Sequence, residues 1–282
     1  SVNKILNERD LNVDFRFETF QYRRIPNFIF FWRLIHKILF KFLGISIFGK
    51  RKLPFHGKSF VFVGIDGSGK STSIDLLYDY FKKFMEVEKI SMGSGKSGAS
   101  WIRKIIFSIF GTKAFLKGHK GTRNFENNNE KKKISLIYAI WILLCLFDKH
   151  KNLKKLKRSL LKGKLVLVDR WIQDIDMNFA DAPRLNLYLQ EKGIVGLVSR
   201  YEKALFKKSS SIIPDEIIIL NVTAENSLLR KPHDLTYDQA LNNSKAMLSF
   251  NWDKISNKIV INANSAREEV LNDLIGEIFA KL

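Results

Sequence analysis

SFVFVGIDGSGKSTSIDLLYDYF, residues 59–81, contains an apolar run, a glycine-rich loop and an amphipathic segment in that order. The run at 60–63 is apolar, β-branched and aromatic, which predicts a short buried strand. Beyond the loop, apolar residues recur at helical spacing from Ile74 to Phe84, so we expect an amphipathic helix that begins at Lys70. A strand, a loop and a helix N-terminus therefore follow one another directly.

The loop fits the pattern G-x-x-x-x-G-K-[ST] through Gly64, Gly69, Lys70 and Ser71. Glycines let the backbone turn so that its N–H groups point at phosphate oxygens, and the start of a helix adds a positive field. We expect Lys70 to hold the outer phosphates of a nucleotide and Ser71 to ligate Mg²⁺. The predicted nucleotide-binding residues of this stretch are Gly64, Asp66, Gly67, Ser68, Gly69, Lys70, Ser71 and Thr72. A glycine-rich turn without a ligand is the alternative.

Further apolar runs alternate with helical patterns along the chain. We expect strands at 87–91, 164–168, 215–220 and 258–262, and helices at 132–149, 151–162 and 266–282. Strands separated by helices predict a mainly parallel five-stranded sheet that is covered on both faces. The expected fold is α/β, a three-layer P-loop NTPase fold over residues 57–282, with a partly helical, basic extension and linker over residues 1–56.

A second group of polar residues follows the third predicted strand, in VDRWIQDID at 168–176. Asp169 and Arg170 emerge at the carboxyl end of that strand, where open α/β sheets bind ligands. A carboxylate there suits Mg²⁺, and an arginine can hold a phosphate through two hydrogen bonds. Asp174 follows closely and is a candidate for acceptor binding. The alternative for the Asp–Arg pair is an ordinary surface ion pair.

Arg230 and Lys231 come after the fourth predicted strand, in a segment that starts a short helix near Thr223 or Asn226. Basic residues at this place are positioned to close over phosphates, to exclude water and to stabilise a transferred phosphoryl group. The alternative is a solvated helix end, where basic residues are common.

The composition favours anionic partners without naming one. The chain of 282 residues carries a net charge of +20, which suits nucleotides, nucleic acid or acidic lipid, or reflects a lysine-rich solvated surface. No specific nucleic-acid motif occurs. The one cysteine, Cys145, excludes an internal disulfide and is expected to be buried. With no signal-peptide pattern, we expect a cytoplasmic protein.

The N-terminal extension contains a basic amphipathic pattern at 28–48, with Arg33, Lys37 and Lys41 every fourth residue. One interpretation is a helix on an anionic membrane surface, which would make the protein peripheral at the inner membrane face. The other is an apolar face that packs on the following domain or on an upstream one. The apolar run at 134–147 is shorter than the ~20 residues of a membrane span.

Three stretches together resemble the thymidylate kinase family of P-loop nucleoside monophosphate kinases. They are SFVFVGIDGSGKST (59–72), VLVDRW (166–171) and PDEIIILNVTAENSLLRK (214–231). The resemblance covers roughly residues 57–282 and implies ATP, Mg²⁺, a small phosphoryl acceptor and, as a frequent assembly, a homodimer. It implies that Asp66 contacts the acceptor and that Asp169 and Arg170 serve the metal and the acceptor phosphate. Arg230 would supply the charge that some members carry at the position of Ser68.

The acceptor side departs from that family. SMGSGKSG (91–98) replaces an R-E-P-G-type segment, and DIDMNFADA (174–182) replaces an S-x-A-Y-Q pattern. The chain is more similar to divergent thymidylate kinase-like proteins of bacterial surface-polysaccharide clusters. The function expected is transfer of the γ-phosphoryl of Mg-ATP to a nucleoside monophosphate. The alternatives are a kinase of a sugar or sugar phosphate, and a non-catalytic ATP-binding or nucleic-acid-binding module.

Overall fold

A parallel sheet with β1 at its centre organises the computed structural model, which describes residues 50–54, 56–94, 100, 103, 105, 134–174, 181–232 and 236–282. The strands are β1 (Lys58–Val63), β2 (Val87–Ser91), β3 (Leu165–Asp169), β4 (Glu216–Asn221) and β5 (Lys258–Asn262). Their order is β2-β3-β1-β4-β5, and all neighbours are parallel. β3 and β2 lie on one side of β1, and β4 and β5 lie on the other. The strand order therefore reverses at β1, and α/β sheets form ligand crevices at such a point.

Six α-helices occur in the described part of the chain. They are α1 (Lys70–Phe81), α2 (Leu136–Leu161), α3 (Gly193–Ser209), α4 (Ala224–Arg230), α5 (Tyr237–Ser249) and α6 (Arg267–Lys281). Thr223 caps α4, because its side chain accepts a hydrogen bond from the Asn226 N–H at 3.3 Å. Thr236 and Gln239 form a reciprocal capping box at the start of α5. Side-chain caps therefore fix where these two helices begin.

The three central strands are the core of the molecule. Apart from Lys58 and the residues that end them, β1, β3 and β4 are buried along their whole length and consist mainly of Phe, Val, Ile and Leu. Continuous apolar runs are typical of parallel strands that are covered on both faces. The edge strand β5 is more exposed. The prediction of an α/β fold with a five-stranded parallel sheet is confirmed, and each strand boundary lies within two residues of its prediction.

One helical prediction was wrong. The predicted helices at 132–149 and 151–162 are a single helix, α2. No glycine or proline interrupts the backbone near residue 150, and the buried side of the helix continues from Leu146 to Leu153 and Leu156. The run at 134–147 is also not buried all round, since Ile137 and Ile140 are exposed. Cys145 is buried as predicted, and this burial raises the pKa of its thiol.

Residues 51–282 form one compact unit. Its first residues are tied to the sheet region, because the Glu86 N–H donates to the Arg51 carbonyl at 2.8 Å and the Leu53 N–H donates to the Gly163 carbonyl at 2.7 Å. The predicted helix at 28–48, Asp176 and the segment 119–133 lie outside the described residues. Within the described ranges, no helix is both long and apolar enough to cross a bilayer.

Candidate functional site

The glycine-rich loop lies between β1 and α1, at the carboxyl end of the central strand. Gly67 and Gly69 have left-handed φ angles of 83° and 89°, which glycine adopts at little cost. A Cβ atom at Gly67 would lie 2.6 Å from the Ser227 carbonyl oxygen of α4. Gly69 is the N-cap of α1 and makes no side-chain capping hydrogen bond. The first N–H groups of α1 are therefore not capped by a side chain.

Lys70 reaches back into this loop and is nearly inaccessible to water. Its Nζ donates to the carbonyl oxygens of Gly64 at 2.8 Å and Ile65 at 2.7 Å, and to Ser68 Oγ at 3.3 Å. Burial, followed by the positive charge of Arg170, lowers the pKa of Lys70 to about 8. The ammonium group is thus satisfied by neutral acceptors of the loop, which a phosphate oxygen could replace with a full negative charge.

Asp66 and Arg170 bring the loop and the end of β3 together. Arg170 Nη2 donates to Asp66 Oδ1 at 2.9 Å. Burial alone would raise the pKa of Asp66, but Arg170, Lys70 and Lys231 lower it overall, so this carboxylate is ionised at neutral pH. Burial acts to lower the pKa of Arg170, and the carboxylates of Asp181, Asp66 and Asp169 raise it overall.

Arg170 is held in a constrained geometry. Its backbone has a left-handed φ of 66°, which is uncommon for a residue with a side chain. Its N–H donates to the Phe62 carbonyl at 3.0 Å. Its second guanidinium nitrogen lies 3.8 Å from Asp181 Oδ2, and its Cδ lies 3.1 Å from where a Cβ of Gly93 would be. The guanidinium therefore stands between the loop and the segment after β2.

Asp169, the last residue of β3, has one carboxylate oxygen bound and one unbound. Ser91 Oγ donates to its Oδ2 at 3.1 Å. Its Oδ1 is buried and has no hydrogen-bond partner among the described residues. Carboxylate and hydroxyl oxygens are the ligands that Mg²⁺ prefers, usually with several waters. Asp169 and the exposed Ser71 of α1 fit that donor set, although the described ranges contain no cluster of three or more acidic, His or Cys ligands.

The short helix α4 covers one side of the loop. Ser227 Oγ donates to the Asp66 carbonyl at 2.7 Å. Arg230 donates to the Gly67 carbonyl at 3.4 Å and, more closely, to the Ala263 carbonyl after β5 at 2.8 Å. Lys231 follows and is exposed. The basic end of α4 thus lies at the loop, as the lid interpretation requires, while His233 lies outside the described residues.

The structure brings most of the predicted site residues together but leaves one apart. The loop, Lys70, Asp169, Arg170 and Arg230 converge at the carboxyl edge of the sheet, with Ser71 and Thr72 exposed in the first turn of α1. Asp174 is exposed and makes no hydrogen bond or ion pair with a described residue. Asp181 and Ser227, which contact Arg170 and Asp66, were not predicted. Both lie in stretches already compared with the family, Asp181 in 174–182 and Ser227 in 214–231, but no spacing pattern within those stretches indicates their contacts with distant segments.

No protein-family model and no curated protein sequence matches this chain. The chemistry of the site is therefore inferred from its own residues. They form a backbone loop with an inserted lysine, a carboxylate with an unbound buried oxygen, and an arginine between two carboxylates. Such a set can hold a polyphosphate, a hard divalent cation and a second anionic group.

Proposed function

We propose that the protein is an ATP-dependent phosphotransferase of P-loop fold, similar to the thymidylate kinases, that moves the γ-phosphoryl of Mg-ATP to a small acceptor. The observation that carries the proposal is the placement of Lys70. Its ammonium group is buried inside the glycine-rich loop at the carboxyl edge of the sheet, beside the Asp66–Arg170 pair. Burying a cation against neutral oxygens alone costs free energy, whereas the same cation can form a strong charge-assisted hydrogen bond to a phosphate.

The donor side consists of the loop and the start of α1. Backbone N–H groups from Gly64 to Thr72 hold the phosphates, and Lys70 leaves the loop carbonyls to bind the outer ones. Ser71 and Asp169 would hold Mg²⁺, and the ion would supply positive charge that neutralises the phosphates. Arg230 and Lys231 close from α4 and add charge where the phosphoryl group is transferred.

The acceptor side consists of Asp66 and Arg170, and the exposed Asp174, five residues after the end of β3, is the further candidate for acceptor binding. Arg170 has two nitrogens that already face carboxylates, so it can bind an acidic group of the acceptor in the same bidentate manner. An acceptor oxygen bonds to the γ-phosphorus while the bond to the β,γ-bridging oxygen breaks and ADP leaves. A monophosphate acceptor is already ionised at neutral pH and needs no base, so a nucleoside monophosphate is the first choice of acceptor.

The test is turnover of the purified protein with Mg-ATP and a panel of acceptors, with each product identified by mass. The panel contains thymidylate, the other nucleoside monophosphates, sugars and sugar phosphates. A phosphorylated sugar in place of a nucleoside diphosphate would make the protein a sugar kinase of the same mechanism. Binding of ATP without any product would contradict the proposed enzymatic function.

Lys70→Ala is the decisive variant. We expect turnover to fall by at least about 100-fold, because one charge-assisted contact to the transferred group is removed. Lys83→Ala is the matched control, since Lys83 is an exposed lysine just beyond α1. It should turn over at the rate of the unsubstituted protein. Equal rates for the two variants, with both folded by circular dichroism, would refute the role of Lys70.

A further inference from the structure

The second half of α2 carries a dense row of exposed cations. Residues 151–164 contain seven Lys and Arg residues and no Asp or Glu. Spacings of three and four residues place most of them on one side of the helix, opposite its buried leucines. The exposed ones are Lys151, Lys154, Lys155, Lys157, Arg158 and Lys162. The row is therefore a single-sign strip and not a mixture of charges.

Most of this row has no acidic partner. Lys155 pairs with Glu88, with 2.5 Å between Nζ and Oε1. None of the other five has a carboxylate oxygen within ion-pair distance in the described part of the chain. Soluble surfaces usually intersperse both signs, because a strip of one sign repels itself. An anionic partner would remove that repulsion.

Cations from two other elements extend the strip. α3 packs beside α2, with His150 Nδ1 and Tyr201 Oη 3.0 Å apart. Burial, followed by the charges of Lys154 and Lys208, lowers the pKa of His150, so both lysines lie within electrostatic reach of that ring. The Leu53 N–H donates to the Gly163 carbonyl at 2.7 Å, which holds the segment that includes Arg51 beside the turn after α2. We call this surface the basic face: Arg51, Lys52, Lys151, Lys154, Lys157, Arg158, Lys162, Lys207 and Lys208.

Two exposed aliphatic side chains lie at the amino-terminal edge of the sheet, where α2 ends. Leu161 in the last turn of α2 is 65% exposed, and Ile213, just before β4, is 70% exposed. Both precede the start of a strand, so they lie at the amino-terminal edge of the sheet. The glycine-rich loop lies at the opposite, carboxyl-terminal edge. A partner on the basic face would therefore leave the candidate active site open.

We propose that the basic face docks on an anionic lipid bilayer, with Leu161 and Ile213 entering the headgroup region. Cations beside exposed aliphatic groups are the combination that binds such surfaces. Single-stranded nucleic acid is bound instead by cations beside several exposed aromatic rings. At this edge the exposed apolar side chains, Leu161 and Ile213, are aliphatic, while the exposed Phe147 lies at the other end of the row, one turn before Lys151, and packs against Tyr201. Arg51 follows shortly after the segment 28–48 in the sequence, and an anionic membrane surface is one of the two interpretations of the basic amphipathic pattern of that segment. The proposal does not depend on the phosphotransferase reaction.

The test is sedimentation of the full chain with vesicles, either phosphatidylglycerol mixed equally with phosphatidylcholine or phosphatidylcholine alone. We expect binding only to the anionic vesicles, and weaker binding as salt is added. The variant K151Q/K154Q/R158Q/K162Q should lower partitioning by at least about 10-fold, since each cation near an anionic bilayer contributes about fivefold. Glutamine keeps the helix propensity of lysine, so α2 should stay folded.

A matched variant removes the same charge elsewhere. K192Q/R200Q/K245Q/R267Q substitutes four exposed cations outside the basic face, none of them just before a strand, and its partitioning should change by less than about twofold if position and not net charge matters. Equal losses in the two variants would overturn the proposal, as would full binding of the first variant or no binding of the unsubstituted chain. Binding to a single-stranded oligonucleotide that depends on the same four residues, without vesicle binding, would assign the face to nucleic acid and also overturn it.

Discussion

Lys70 is a cation with almost no contact with water. Because of this burial, the protonation of its amine makes the free energy of unfolding depend on pH. Its pKa is about 8 in the folded protein and 10.5 in an unperturbed lysine. Between these values the folded state has lost the proton while the unfolded state keeps it. Because the unfolded state then binds more protons, the free energy of unfolding rises with pH in this window. Below pH 8 both states are protonated, and the cost of burying the charge is present in full.

We predict that the unsubstituted protein gains stability relative to Lys70→Met between pH 7 and pH 9.5. The expected gain is about 2 kcal/mol, because one pKa unit corresponds to about 1.4 kcal/mol. Urea denaturation of both proteins at the two pH values measures it, and the Met variant subtracts every other titrating group. A difference in unfolding free energy that stays constant with pH would show that Lys70 is not buried as a charged group.

The contacts of Arg170 distinguish between two interpretations of the sequence motif to which it belongs. The Asp–Arg pair after β3 has two obvious interpretations, a surface ion pair or a ligand clamp. Arg170 does not pair with its neighbour Asp169 but with Asp66, 104 residues away in the loop. Its left-handed backbone aims the side chain across the crevice. An uncommon backbone conformation that is held by long-range contacts favours the clamp.

At the scale of elements, the glycine-rich loop and α4 act as one unit. Ser227 binds the Asp66 carbonyl, and Gly67 leaves no room for a side chain against Ser227. Arg230 connects the same helix to the loop and to the end of β5. A shift of the loop when phosphate binds would therefore be transmitted to the basic end of α4. These contacts are the connection that a lid at α4 would need in order to respond to phosphate bound at the loop.

A comparison of Gly67→Ala with Gly69→Ala separates the effect of the contact between Gly67 and Ser227 from the effect of backbone strain. Both glycines have left-handed φ angles, but a Cβ at Gly69 would meet nothing within 4 Å. We expect Gly69→Ala to lower the free energy of unfolding by about 1 kcal/mol from strain alone. Gly67→Ala should cost at least about 1 kcal/mol more, because the clash is with a backbone carbonyl that cannot rotate away.

Urea denaturation of the two variants gives the comparison. Gly276→Ala in α6 is the control, since a Cβ there also meets nothing within 4 Å and its backbone is helical, so that variant should be more stable by about 0.5–1 kcal/mol. If Gly67→Ala and Gly69→Ala lose the same stability, α4 does not press against the loop.

The elements that the sequence predicts well are those with a local cause. Four of the strands, β1, β3, β4 and β5, contain short apolar runs of Phe, Val, Leu or Ile, and α1 begins at Lys70 because the glycine loop ends there. The division of α2 into two helices near residue 150 was wrong, because neither glycine nor proline interrupts the helix there. Contacts between distant segments, such as Asp181 with Arg170 or Arg230 with Ala263, have no local pattern. They depend on the strand order, which the sequence does not display.

At the scale of the whole molecule, the two edges of the sheet have different chemistry. At the carboxyl edge, Arg170 lies between the carboxylates of Asp66 and Asp181, and Lys70 is buried among the oxygens of the loop. At the amino edge, Lys52 and Lys155 pair with Glu86 and Glu88, but most cations of the basic face have no carboxylate within ion-pair distance among the described residues. The net charge of +20 is therefore not spread evenly. With the proposed docking face at one edge and the candidate site at the other, the proposed phosphotransferase could act on dissolved substrates while bound to a surface.

The linker before β1 belongs physically to the folded unit, and truncation can test this. A fragment 50–282 keeps the Arg51 and Leu53 contacts, whereas a fragment 57–282, cut at the predicted domain boundary, loses both backbone hydrogen bonds. The loss also uncovers Gly163, where a Cβ would lie 2.6 Å from the Leu53 carbonyl oxygen. Two hydrogen bonds contribute about 1–3 kcal/mol together, and each kcal/mol shifts Tm by about 2–4 °C in a domain of this size.

We therefore predict that fragment 57–282 melts at least about 3 °C below fragment 50–282, and that the longer fragment melts within about 2 °C of the full chain because residues 51–282 form one unit. Scanning calorimetry of the three proteins at one concentration measures both differences. Equal Tm values for the two fragments would mean that the linker contacts add nothing to the folded state. The basic face would then lose Arg51 and Lys52 as fixed members, and only the α2 and α3 cations would remain to hold a bilayer.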